Sequence, residues 1–153
     1  MPFRFNHMEL TFPKGTLDAA ARKDIGAFYG EMFNWNGFDV ELFKQTNFIL
    51  TSDDAAQSFI LLAEADKHMT SPGYDHLGIL CDTREEVDDR LEIAKRWREK
   101  DDRVDITEFK DDLVQGPVTV HAFYVKYILP IRFDVQVIEY AEGATPEKRW
   151  QYS

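Results

Sequence analysis

Apolar residues along this chain switch twice between a strand-like period and a helical one. Phe3 to Phe12 runs apolar or alternating and stops at Pro13-Lys14-Gly15, which predicts a strand and then a turn. Thr16 or Asp18 can cap a helix over Asp18–Phe33, where Ile25, Phe28, Tyr29, Met32 and Phe33 recur on one face. Asn34 to Gly37 breaks it. Strands are then expected over Phe38–Phe43, Asn47–Thr51 and Ser58–Leu62, with Ser52-Asp53-Asp54 as the clearest turn. Glu64 to Tyr74 is polar and contains Ser71-Pro72-Gly73, a linker by composition. After it the order recurs. His76–Cys81 reads as a strand, and Thr83 with Glu86 three positions on forms a capping box. Val87, Leu91, Ile93, Ala94 and Trp97 supply that helix's apolar positions. Asp105–Phe109, Val118–Tyr127 and Ile131–Tyr140 complete the series as strands, and the polar tail after Gly143 is expected to fray.

The pattern is βαβββ written twice, over residues 1–73 and 74–153, so the expected fold is α+β in one compact domain. Two modules of this kind can close their sheets into a cup. The repeat extends to chemistry. FNHMELTF places His7, and YDHLGILC places His76, at the front of the first strand of each half.

Bulk properties narrow the classes. The 153 residues are 44% hydrophobic and 14% aromatic, enough to build a core. A formal net charge of −10 disfavours nucleic acid, which would be repelled. Much of the charge lies in Thr83–Arg103 and reads as the wet face of a helix. No apolar run approaches a membrane span, and the N-terminus lacks the apolar core of a signal peptide, so a cytoplasmic protein is expected. The single cysteine, Cys81, sits in an apolar run and reads as packing. No P-loop, G-x-G-x-x-G, C-x-x-C or G-x-S-x-G motif is present.

Two histidines facing each other across a cup would need a third donor, preferably a carboxylate, to hold a metal with open positions. RFDVQVIEY offers Glu139, which continues the apolar phase of Phe133, Val135 and Val137. A carboxylate on an apolar strand face is costly unless it is paired or binds a cation. If Val118–Tyr127 and Ile131–Tyr140 form a hairpin around Leu129, residues 119 and 139 pair, and His121 lies on the face of Glu139. His121 could then serve as a general base. Tyr127 shares that parity and Tyr124 does not. Arg132 could meet an acidic substrate group or point outward.

The order and spacing of these features over residues 3–142 resemble the vicinal oxygen chelate superfamily, which includes glyoxalase I, fosfomycin-resistance thiol transferases, bleomycin-binding proteins and type I extradiol dioxygenases. The resemblance implies the glyoxalase/bleomycin resistance/dioxygenase fold, a cup-shaped mixed sheet, and a divalent metal on His7, His76 and Glu139. Glyoxalase-type sites draw a fourth ligand from the last strand of the first module. Here that stretch is Ile60–Leu62, without a donor, and Glu64 would need a shift of register. Three ligands favour an extradiol ring-cleaving dioxygenase with Fe(II), acting on a small catechol or another molecule with vicinal oxygens. His121, Tyr124 and Tyr127 are then the candidates for proton transfer. Mn(II), Zn(II) and Ni(II) are the other metals to weigh. A glyoxalase-like or epimerase-like enzyme and a metal-free ligand-binding protein are the competing readings. A homodimer is expected, because short members of the superfamily usually pair their cups.

Overall fold

The computed structural model describes residues 3–54 and 57–147; the end of the polar tail lies outside them. The first module consists of β1 (His7–Phe12), α1 (Ala19–Phe33), β2 (Asn36–Leu42), β3 (Gln45–Thr51) and β4 (Phe59–Glu64). The second consists of β5 (His76–Leu80), α2 (Arg84–Lys100), β6 (Asp105–Glu108), β7 (Leu113–Gln115), β8 (Val118–Lys126) and β9 (Arg132–Tyr140). The short strand β7 is the one element the sequence pattern does not announce. It is three residues long, fully exposed, and pairs only with β8.

Both helices begin where their capping residues predict. The Asp18 carboxylate accepts from Ala21 N–H, and the Thr83 hydroxyl accepts from Glu86 N–H, with the Glu86 carboxylate reaching back to Asp82 N–H. Helix α1 ends at Asn34, whose left-handed conformation lets its N–H bond Gly30 C=O.

The strands form two separate ladders among the described residues, in the orders β1-β4-β3-β2 and β5-β9-β8-β6. With β7 set aside, the two orders are the same. In each, the first strand runs parallel to the last, and the other pairs are antiparallel. The match extends to single residues. His7 lies opposite Phe59, with Phe59 N–H bonding Asn6 C=O, and His76 lies opposite Arg132, with Arg132 N–H bonding Asp75 C=O.

One core joins the halves. Leu10, Phe48, Leu50 and Leu62 of the first sheet, Ile25, Phe28, Tyr29 and Met32 of α1, and Phe123, Val125, Phe133 and Val135 of the second sheet belong to a single buried cluster. Tyr29 is its pin. Its ring packs 5.0 Å from Phe133, and its fully buried hydroxyl donates to Tyr127 C=O at 2.9 Å across the module boundary. Replacing Tyr29 with Phe keeps the ring and removes one of two hydrogen bonds to that carbonyl, which also accepts from Leu129 N–H at 2.6 Å, a cost of about 0.5–1.5 kcal/mol. A loss of roughly 2–6 °C in melting temperature is expected for a chain of this size. Calorimetry checks this, and an unchanged midpoint would mean that the hydrogen bond contributes nothing.

Candidate functional site

The side-chain alternation of each strand decides which groups can meet. Because β5 and β9 pair as His76 with Arg132 and Gly78 with Asp134, and Asp134 lies opposite Tyr124 on β8, these residues share one face of the second sheet. The other face carries Phe133, Val135 and Val137 against the helices.

His76 stands at the edge of an aromatic cluster. Its ring lies 5.1 Å from Tyr124, which contacts Tyr74 at 5.9 Å and Phe109 at 5.3 Å. His76 Nδ1 is 2.6 Å from Tyr74 C=O. A carbonyl can only accept, so Nδ1 carries the hydrogen, and in the neutral ring Nε2 presents a bare lone pair. Nε2 lies 3.7 Å from Asp134 Oδ2. Asp134 is 9% exposed, and its Oδ1 has no hydrogen-bond partner. Burial pushes the Asp134 carboxyl up from its ordinary value, with His76 partly opposing it. Tyr124 is also pushed up, by burial first and then by Asp134 and Tyr74, which keeps its hydroxyl a donor.

His7 repeats the arrangement. Its Nδ1 meets Asn6 Oδ1 at 2.6 Å, which again leaves Nε2 free, and its ring stacks on Phe59 at 4.8 Å. On the face that His7 shares with Phe59, the following β4 residues are Leu61 and Ala63, so the first module offers carbon where the second offers Asp134 and Gln136. Glu64 lies on the other face and accepts from Leu17 N–H. Between β1 and β5 is a cavity of about 470 Å³. His7 and Phe59 stand on one wall, Leu77 and Gly78 on the other, and Trp35 also contributes.

Several sequence expectations change here. The predicted pairing of Thr119 with Glu139 is present, and His121 does share a face with Glu139. That face points toward the helices, away from His76. Glu139 is held there by Arg84 of α2, through Nε to Oε1 at 2.7 Å and Nη2 to Oε2 at 2.9 Å. Arg84 also donates to Asp112, and His121 bridges Asp112 at 2.9 Å and Asp88 at 2.8 Å. His7, His76 and Glu139 are therefore not brought together, and His121 is not placed to act as a base beside His76. Among the described residues no group of three His, Cys, Asp or Glu side chains gathers in ion-binding geometry. Tyr127 is buried outside the site, donating to Asp101 at 2.8 Å and accepting from Arg103 at 3.1 Å. Only Tyr124, of the three proton-transfer candidates, stands beside His76.

The carboxylate on the His76 face is Asp134. Its signal was present in RFDVQVIEY as the polar phase, Arg132, Asp134 and Gln136. The donor types of His7, His76 and Asp134, two imidazoles with fixed Nδ1 partners and one carboxylate, fit a divalent ion. Glu139, neutralised by Arg84, does not.

No family model matches the sequence, and no curated protein matches it. Solved structures do match its shape: the chain has the same fold as a glyoxalase family protein and a fosfomycin resistance protein. A glyoxalase family protein from Bacillus anthracis aligns over 91% of this chain and 98% of its own, with a TM-score of 0.60 at 13% identity. The fosfomycin resistance protein FosX from Listeria monocytogenes aligns over 88% and 91%, with a TM-score of 0.57 at 20% identity. FosX complexed with Mn(II) and sulfate aligns over 90% and 93%, with a TM-score of 0.58 at 16% identity. No helix among the described residues is long and apolar enough to cross a membrane.

Both His121 nitrogens face carboxylate oxygens, so the ring must donate twice and is an imidazolium. Its pKa is raised above 6.5, first by the hydrogen bond to Asp88 and also by Asp112. A raised folded-state value stabilises fully below the unfolded value and is lost as pH climbs through the folded one. The stability difference between the native protein and His121→Gln should therefore be largest below pH 6.5 and shrink above it. At this exposure it amounts to about 1 kcal/mol or less. Urea unfolding across pH measures it, and a difference that grows with pH would contradict the assigned imidazolium.

Proposed function

We propose that this protein is a metal-dependent enzyme acting on a small molecule with adjacent oxygens, in which His76 and Asp134, completed by His7, are the protein ligands. The observation that carries the reading is the pairing of a bare His76 Nε2 with a buried carboxylate that has an unused oxygen. Burying such a carboxylate beside an imidazole without further partners is costly, and a cation would offset that cost. The two-histidine, one-carboxylate set and the aromatic wall of Tyr74, Tyr124 and Phe109 favour an Fe(II) extradiol dioxygenase cleaving a small catechol. A bound ion would supply a lowered hydroxyl pKa to a coordinated catechol. The chain's own contributions are the two histidine tautomers fixed by Asn6 and Tyr74, and the Tyr124 hydroxyl, kept protonated to donate to a substrate oxygen. A homodimer, as the resemblance implies, would let His7 of a second copy complete the set. Exposed Phe38, Leu42, Leu80 and Leu113, on the sheet faces that also carry His7 and His76, are consistent with pairing.

One observation favours a second reading, a metal-free binding protein. The three donors do not gather within one chain, and the cavity between β1 and β5 is walled mainly by apolar side chains. Protein prepared without oxygen and loaded with Fe(II) should retain about one ion per chain. Asp134→Ala should weaken retention by tenfold or more, while Glu139→Gln leaves it unchanged. Metal analysis with a catechol ring-opening assay reads both. Retention lost in Glu139→Gln but kept in Asp134→Ala would reverse the ligand assignment. Absence of metal and product from the native protein would leave the binding reading.

A further inference from the structure

Arg132 opens β9 beside His76 and on the same face as Asp134. Its side chain is 16% exposed, yet only Nη2 has a partner, donating to Asp105 at 2.6 Å. Nε and Nη1 are buried with no partner. A guanidinium has five N–H donors, and burying several of them unpaired costs more than a Lys or Gln at this position would. The neighbouring carboxylate does not relieve it, because Asp134 Oδ1 is itself unpartnered. An aromatic ring lies over this group. Tyr74 lies with its centroid 5.0 Å from the guanidinium carbon and is 59% exposed, at the end of the polar linker after Pro72-Gly73. Tyr74, Tyr124 and Phe109 line the approach with aromatic surface.

We propose that Arg132 recognises a carboxylate on the bound molecule, and that the Tyr74 ring moves aside to admit it. The substrate class is then a small aromatic acid. Asp105 keeps Nη2, and the incoming carboxylate takes a free N–H, making a charge-assisted bond where the empty site has none. A carboxylate is preferred over a neutral acceptor because the guanidinium has only one carboxylate partner, and that partner is half exposed. The inference rests on the reading of the His76 face as a small-molecule site, but not on a metal being there.

Benzoate and its neutral counterpart benzamide, titrated in the presence of a chelator, separate the two questions. Native protein should bind benzoate about tenfold more tightly than benzamide, as one charge-assisted hydrogen bond implies. Benzoate should also shift the Arg132 Nε–H resonance. Arg132→Gln should bring benzoate down to the benzamide level. Tyr74→Ala removes aromatic surface from both probes but uncovers the guanidinium, so it should raise the ratio of benzoate to benzamide affinity. Equal binding of the two probes by native protein, or a preference that survives Arg132→Gln, overturns the proposal. Should Arg132→Gln fail to fold, an unchanged benzoate-to-benzamide ratio in Tyr74→Ala overturns it as well. Because the chelator removes metal from the test, a benzoate preference can stand while the Fe(II) reading fails, and the reverse.

Discussion

The register of β5 against β9 is the constraint on which the candidate site depends. With His76 opposite Arg132, alternation puts Arg132, Asp134 and Gln136 on the His76 face and turns Phe133, Val135 and Val137 toward the helices. The driving force is burial of that apolar phase, since Phe133 and Val135 are fully enclosed and Phe133 packs on Tyr29, Phe33 and Trp35. A slip of one residue would exchange the phases, burying Asp134 among the helices and exposing three apolar side chains. The core and the polar face are thus two consequences of one pairing.

The two modules share that constraint but not their contents. In the first, the positions equivalent to Asp134 and Gln136 are Leu61 and Ala63. One module therefore supplies donors and the other supplies His7 with an apolar wall. The Tyr29 hydroxyl, reaching Tyr127 C=O across the boundary, helps bind the halves into one unit, since among the described residues no ladder joins their sheets.

The architecture was legible in the sequence because it follows from local rules. Asp18 and Thr83 cap as their types require, the helical periods match the buried positions, and the hairpin register pairing residues 119 and 139 is present in β8 and β9. The candidate site was legible only in part, through the equivalent places of His7 and His76 at the start of β1 and β5. Glu139 was expected on the His76 face because an apolar phase was taken to face the cup, whereas in a sheet covered by helices the apolar phase faces the helices. Nothing local to RFDVQVIEY distinguishes the two directions. The distinction comes from the parallel partner β5, where His76 alternates with Leu77, and that pairing is nonlocal. Strand β7 was missed for a related reason: three exposed residues have no burial pattern to read.

Glu139 shows why a sound premise led to the wrong partner. A carboxylate in an apolar phase does need a cation, but the cation is Arg84, the first residue of α2, which also holds Asp112, while Asp112 and Asp88 hold His121. Arg84 pulls the Asp112 carboxyl below its ordinary range, with His121 adding to the effect. The chain of contacts therefore runs from β9 through α2 to the loop before β7 and on to β8. It fastens the first turn of α2 to the two strands whose register presents Tyr124 and Asp134. Coulombic contacts this exposed contribute modestly to stability, and they sit at the open end of the β8–β9 hairpin, near the Thr119–Glu139 pair. Glu139 and His121, read from sequence as chemistry, instead tie α2 to the helix-facing side of the sheet whose other face carries His76, Tyr124 and Asp134.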